Sequence, residues 1–260
     1  RVTTAATTMR LRKSRSGTIG SAARRSTATN TTSAAAPAAS GATTSAPDQA
    51  PARPASTMPR RIADTPAVKT LRKIGSRLQG HPHRSALPGV ETTSGPLGSG
   101  LSQAIGVALA ARLDRKKHRV YCITSDGEHQ EGNLWEAVMF AGKYKLSNLT
   151  LIIDRNNIQI DGPTEDVMPL EPLRRKYEAF RWHVLEIDGH NVEEFVDAVH
   201  EAEAIYEQPT VIIAHTIPGK GVSFMERDYR WHGKPPNKEE AARALEEIRT
   251  LGKRIRSEHE

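Results

Sequence analysis

The chain is predicted to be α/β, a doubly wound parallel sheet in a three-layer αβα sandwich, on three observations. Val120–Thr124, Leu149–Ile153, His183–Ile187 and Thr210–Ala214 are short apolar, β-rich runs, the pattern of buried parallel strands. Helical patterns, Leu134–Tyr144 and Val192–Tyr206, lie between the first pair of runs and between the last pair. Two of the runs end in polar turns, Ser125-Asp126-Gly127 and Asp154-Arg155-Asn156-Asn157. Strands alternating with helices imply a parallel sheet covered on both faces. Ligands of such sheets collect outside the carboxyl ends of the strands, which is where both polar turns fall.

Charge divides the chain. The net charge of +7 suggests a nucleic-acid partner until its location is considered. Residues 1–66 hold ten Lys/Arg against two Asp/Glu, and the remainder holds 27 against 28. The body is therefore near neutral, which argues against a surface that tracks phosphates along nucleic acid. The single cysteine, Cys122, lies inside a strand pattern and reads as a small core residue. No apolar run is long enough to span a membrane, the leader lacks the apolar core of a secretory signal, and a reducing cytoplasm is the default expectation.

Residues 1–66 are low in complexity, rich in Ala, Thr, Ser, Pro and Arg, without an aromatic residue or a periodic pattern. Such a segment buries too little apolar surface to offset its ordering entropy. It reads as a disordered basic arm, as a transit peptide or as out-of-frame translation of a GC-rich gene. The abrupt start of patterned sequence near Val68 favours the third. The folded domain is placed at residues 67–260.

Within that domain Lys69–Leu78 is expected to form a short amphipathic helix, and Gly80-His81-Pro82-His83 a loop. A His-x-His pair beside Gly and Pro is more often a surface turn than a metal site. Gly95-Pro-Leu-Gly-Ser-Gly100 precedes a helix at Leu101–Leu113; its glycines let backbone approach a ligand, and a helix start favours anions. As a lone pattern it is only a turn before a helix. Leu170–Arg181 is predicted helical. Asp188-Gly-His-Asn191 caps the helix from Val192, with Phe195, Val196 and Val199 facing inward and His190 a turn residue. Gly219–Glu226 is a glycine-hinged loop of the kind that closes over a site. Trp231-His232-Gly233 reads as a packed corner, and Asn237 to the end as a charged surface helix.

The chemistry concentrates at the two strand ends. Asp126 alone is an acidic turn residue. Paired with Asn156 one α/β unit later, it offers hard oxygen donors that suit Mg²⁺, or Ca²⁺, and suit zinc poorly. Together, Asp126-Gly-Glu-His-Gln-Glu-Gly-Asn133 and Ile152-Ile-Asp-Arg-Asn-Asn157 resemble the thiamine diphosphate-binding motif of thiamine enzymes. Leu87-Pro-Gly-Val-Glu-Thr-Thr-Ser-Gly-Pro-Leu-Gly-Ser-Gly100 narrows the resemblance to transketolases. It runs from about Val68 to Pro236 and corresponds to the diphosphate-binding domain of that family. Ser125 stands where the family usually has Gly.

The resemblance implies the N-terminal subunit of a split transketolase, which moves a two-carbon ketol unit from a ketose phosphate to an aldose phosphate. It implies that Asp126, Asn156 and the Ile158 carbonyl bind Mg²⁺, and that Gly95, Leu97 and Gly127 lie against the cofactor. It gives His81 a place facing thiamine and substrate, and His232 a place reaching the diphosphate and reaction centre. Glu131, otherwise a capping-region carboxylate, is implied to link the two active sites of a dimer. The family's ring-activating glutamate lies in a second domain that this chain does not contain, so a C-terminal partner subunit is expected, in a hetero-oligomer holding two copies of this chain. Two alternatives stand beside this reading. One is the α chain of a 2-oxoacid dehydrogenase, against which Gly80-His-Pro82 and the Trp231–Pro236 run argue. The other is a non-catalytic remnant that binds cofactor or partner.

Overall fold

The computed structural model of the protein describes residues 8–9, 69–87 and 89–257, excepting the side chains of 8–9 and 251–257. In chain order the elements are β1 (Thr8–Met9), α1 (Ser99–Leu113), β2 (Val120–Ser125), α2 (Gly132–Lys143), β3 (Leu149–Arg155), β4 (Ile158–Gln159), β5 (Gly162–Pro163), α3 (Thr164–Val167), α4 (Leu173–Ala179), β6 (His183–Asp188), α5 (Val192–Ala204), β7 (Thr210–His215) and α6 (Lys238–Ser257). Short 3₁₀ turns lie at Gly127–Gln130 and Tyr229–Trp231.

One sheet runs β1-β2-β3-β7-β6, and β4 and β5 form a separate two-stranded ladder. β2, β3, β7 and β6 are parallel. Val120 pairs with Leu149 and Ser125 with Asp154, so β2 and β3 end together. Asp154 in turn pairs with Ala214 of β7. The central strands are mostly apolar on both faces because both faces are covered. On one face Cys122, Leu151, Ile153, Val211 and Ile213 pack with α1, α2 and α4 through Leu101, Ala108, Leu134, Val138 and Tyr177. On the other, Tyr121, Ile152, Ile212 and Ala214 pack with Ala198 and Ala202 of α5. Helices on both faces of a parallel sheet make the αβα sandwich. Cys122 is a buried core thiol, as its place in the strand pattern predicts.

Several expectations are corrected. Lys69–Leu78 is not a helix: Lys69 and Thr70 make a short 3₁₀ turn and bends follow. Arg72 and Gly75 take left-handed backbone, φ 62° and 79°. Lys69, Lys73 and Arg77 would stack like charges four residues apart, in a segment too short to be helical unaided. α4 begins only at Leu173, because Pro172 fixes its N-cap. Val196 is exposed; the inward stripe of α5 is Phe195, Ala198, Val199 and Ala202, the i, i+3, i+4, i+7 pattern. The expectation of a disordered or out-of-frame leader at residues 1–66 falls outside the described residues except at Thr8–Met9. These two residues pair antiparallel with Tyr121 and Cys122, adding a short strand to the otherwise open edge of β2. Asn191 caps α5 as predicted, accepting from the Glu193 and Glu194 amides. No described helix is long and apolar enough to cross a membrane.

Candidate functional site

The β2 end supplies Asp126, which is fully buried. Its Oδ1 accepts one hydrogen bond, from the Gly127 amide at 2.7 Å. Its Oδ2 accepts three: from the Arg155 guanidinium at 3.0 Å, the Asn157 amide at 2.7 Å and the Thr164 hydroxyl at 3.3 Å. A carboxylate oxygen has about two lone-pair directions, so Oδ2 is saturated and Oδ1 keeps one free. Burial pushes the Asp126 carboxyl up from its ordinary range, against the pull of the Asn157 amide and Arg155.

The β3 end supplies the rest. Asn157 takes left-handed backbone, φ 64°, a conformation that Asn tolerates, and its amide donates to Asp126. Asn156 is oriented by neighbours on both sides: Nδ2 donates to Asp154 Oδ2 at 3.0 Å, and Oδ1 accepts from the Ile158 amide at 3.1 Å. Asp154 is held in turn by the Thr216 hydroxyl. The Asn156 amide oxygen therefore also keeps a free lone pair, beside the Ile158 backbone. Asp126, Asn156 and Ile158, named from sequence, are thus gathered by the shared ending of β2 and β3.

The glycine loop meets the same turn from α1. Gly98, left-handed at φ 76°, is the N-cap of α1, and its amide donates to Glu128 Oε1 at 2.7 Å. A Cβ there would lie 1.9 Å from Asn133 Oδ1. Glu128 is buried, and its Oε2 has no hydrogen-bond partner among the described residues; burial raises its carboxyl above the usual range. Asn133 Nδ2 reaches the Leu97 carbonyl at 3.5 Å, and Glu131 is exposed at the start of α2. Gly95, φ 139°, lies against the His81 ring, which a Cβ would meet at 3.0 Å.

Not every candidate joins this cluster. No hydrogen bond among the described residues links the His81 or His232 ring to Asp126 or Asn156. His232 follows the 3₁₀ turn of Trp231, whose indole packs edge-on against Phe224 at 5.4 Å and under Lys234 at 3.9 Å. A cleft of about 310 Å³ opens there, lined by Phe224, Asp228, Arg230, Trp231 and Lys234. His83 is exposed and pairs with Ser85; His190 accepts from the Ile217 amide at 2.7 Å, a turn residue as expected.

Sequence reasoning passed over three participants. Arg155 is buried and ion-paired to Asp126, Glu165 and Glu171. Glu128 bridges the glycine loop and the Asp126 turn. His129 anchors that turn in the core. The only signal for any of them was a charged or polar residue inside a motif whose neighbours drew attention.

The residues present fit a hard cation with a diphosphate. The free lone pairs belong to oxygen donors, and the glycine turn at Gly98 opens a helix of 15 residues that meets Glu128 in the turn after Asp126.

The sequence family described as "Transketolase, thiamine diphosphate binding domain" matches residues 63–252. The chain is 42% identical over 179 residues to an apulose-4-phosphate transketolase subunit of Phocaeicola vulgatus, covering 69% of this chain and 63% of that protein. It is 42% identical over 185 residues to a 6-deoxy-6-sulfo-D-fructose transketolase subunit of a Clostridium species, covering 71% and 67%. The crystal structure of transketolase from Campylobacter jejuni superposes with a TM-score of 0.66 at 37% identity, covering 70% of this chain and 29% of that one. The chain therefore matches about two thirds of the length of these subunit relatives, and under a third of the Campylobacter jejuni transketolase chain.

Proposed function

The chain belongs to the transketolase family through its thiamine diphosphate-binding domain, and from that premise we propose that it is the diphosphate-side subunit of a split transketolase. It works with Mg²⁺ and a C-terminal subunit that carries the pyrimidine-binding domain, in a cytoplasmic hetero-oligomer holding two copies of this chain. The observation that carries the reading is the convergence of Asp126, Asn156 and the Ile158 backbone at the shared end of β2 and β3.

When bound, thiamine diphosphate supplies the electron sink for moving a two-carbon ketol unit from a ketose phosphate to an aldose phosphate. Asp126 Oδ1, Asn156 Oδ1 and the Ile158 carbonyl would hold the Mg²⁺, which would offset the charge of the diphosphate. Gly127, Gly95 and Leu97 let the backbone come close to the cofactor. The His81 and His232 ring nitrogens take and return protons at substrate hydroxyls, with His232 also reaching the diphosphate. Glu131, exposed at the start of α2, couples the two copies. The names of the subunit relatives support the need for a partner.

The test is reconstitution. The purified chain with Mg²⁺, thiamine diphosphate and sugar phosphates is expected to be inactive, and to gain activity with the cognate C-terminal subunit. Activity in the isolated chain contradicts the split-enzyme reading. Cofactor binding without activity, even with the partner, favours the non-catalytic remnant instead.

A further inference from the structure

Arg155 carries a network that the cation-site reading leaves unexplained. Its side chain is 3% exposed, and Nη1 donates to Asp126 Oδ2 at 3.0 Å. Nη2 donates to Glu165 Oε1 at 2.7 Å and Glu171 Oε1 at 3.0 Å. The two glutamates are themselves fixed. Glu165 accepts from the Leu170 amide through both oxygens, at 3.1 and 3.2 Å, and Glu171 Oε2 accepts from the Leu173 amide at 2.8 Å. One guanidinium thus faces three carboxylates, and the group carries two negative charges in excess.

We propose that Glu165 and Glu171 are positioning residues for the divalent cation, acting through Arg155; the proposal rests on the cation-site reading above. An arginine paired with Asp126 alone would cancel its charge and compete with any metal. Here two outer carboxylates draw the guanidinium toward themselves and offset it. Arg155 then serves as a clamp on Oδ2, and Oδ1 is presented to the cation with the cluster's excess charge matching a divalent ion. Outer groups that orient and charge a metal ligand commonly alter metal affinity by roughly 10- to 100-fold. Glu165 is 36% exposed and Glu171 56%, so solvent screens both and the lower end applies.

The experiment is Mn²⁺ uptake by the full chain, followed by electron paramagnetic resonance, and Mg²⁺ titration with thiamine diphosphate by calorimetry. Glu165→Gln is expected to raise the Kd of either cation about 10-fold, and Glu171→Gln to raise it by less. The melting temperature of the metal-free protein is measured alongside. In an Arg155→Met background, Glu165→Gln is expected to change the Kd by less than about 2-fold, since the glutamate acts through the missing guanidinium. If Arg155→Met does not fold, Arg155→Lys replaces it; a single ammonium cannot fork to three carboxylates, and the Glu165→Gln effect is expected to shrink. An unchanged Kd in Glu165→Gln, with or without a lower melting temperature, overturns the proposal and leaves the cation site standing. So does an undiminished effect in the Arg155 variants. Absence of cation uptake by the unsubstituted chain overturns the cation-site reading itself, and the proposal with it.

Discussion

The Tyr177 hydroxyl donates a 2.7 Å hydrogen bond to His129 Nε2 inside the core, with both side chains shut off from solvent. His129 Nδ1 donates in turn to the Ser125 carbonyl at 2.8 Å. Burial holds the imidazole neutral, and the carbonyl acceptor puts its proton on Nδ1. Burial lowers it to about 4, and Tyr177 is raised well above its ordinary value by the same cause. Trp135 Nε1 closes the arrangement by donating to the His129 carbonyl at 2.7 Å. The turn that presents Asp126 is thus pinned to α4 and α2 through His129.

This pair predicts a pH dependence. The unfolded histidine takes up a proton as pH falls below 6.5, whereas the folded one resists until about 4. The stability it contributes is full above 6.5 and lost progressively down to about 4, a swing of about 3 kcal/mol. Urea unfolding between those limits should show His129→Gln losing less stability than the unsubstituted chain as pH falls. Equal slopes would mean that the imidazole is not buried neutral. Tyr177→Phe, which leaves Nε2 without a donor, is expected to cost about 1–3 kcal/mol at neutral pH.

Glu128 predicts the opposite sign. Its carboxyl is raised by burial, so the unfolded state gives up its proton first and stability falls as pH rises through that range. Glu128→Gln retains an acceptor for the Gly98 amide and removes the charge. It is expected to raise the melting temperature at pH 8, with the gain shrinking toward pH 4.5, as read by scanning calorimetry. A loss at pH 8 would show that the carboxylate charge is compensated in the folded protein.

Two glycines of the same region separate strain from propensity. Gly98 is left-handed, and a Cβ would strike the Asn133 amide; Gly106, inside α1, has open space beside it. Gly98→Ala is expected to destabilise by about 2 kcal/mol or more. Gly106→Ala is expected to stabilise by about 0.5–1 kcal/mol. Chemical denaturation of both variants checks the pair, and equal effects would contradict the local backbone.

Asp126→Ala addresses the cation directly. It removes the proposed anionic ligand and leaves Arg155 paired to Glu165 and Glu171. Mg²⁺-dependent thiamine diphosphate binding is expected to weaken by more than about 100-fold. Calorimetry showing unchanged affinity would remove Asp126 from the site.

Much of this is legible in the order of residues. Val120–Thr124 and Leu149–Ile153 read as buried strands because both faces are covered, and a continuous apolar run is the mark of that environment. The meeting of Asp126 and Asn156 at one edge is legible because they follow those strands, and a strand end is a fixed place in such a sheet. Lys69–Leu78 misleads for the converse reason: it has the local periodicity of a helix, but is too short to hold one against repulsion among its cations.

The alternation of strands and helices, the residues at the strand ends and the family they mark can all be read from the chain, because they depend on local pattern and short spacing. Other features exist only once the chain has folded. β7 lies between β3 and β6, Glu128 meets the Gly98 amide, His129 is buried against Tyr177, and Arg155 holds Asp126 from one side. The last three partners lie 30, 48 and 29 residues apart. Whether a charged or polar side chain is a surface residue or a buried clamp depends on what the fold brings against it, and local sequence carries no record of that.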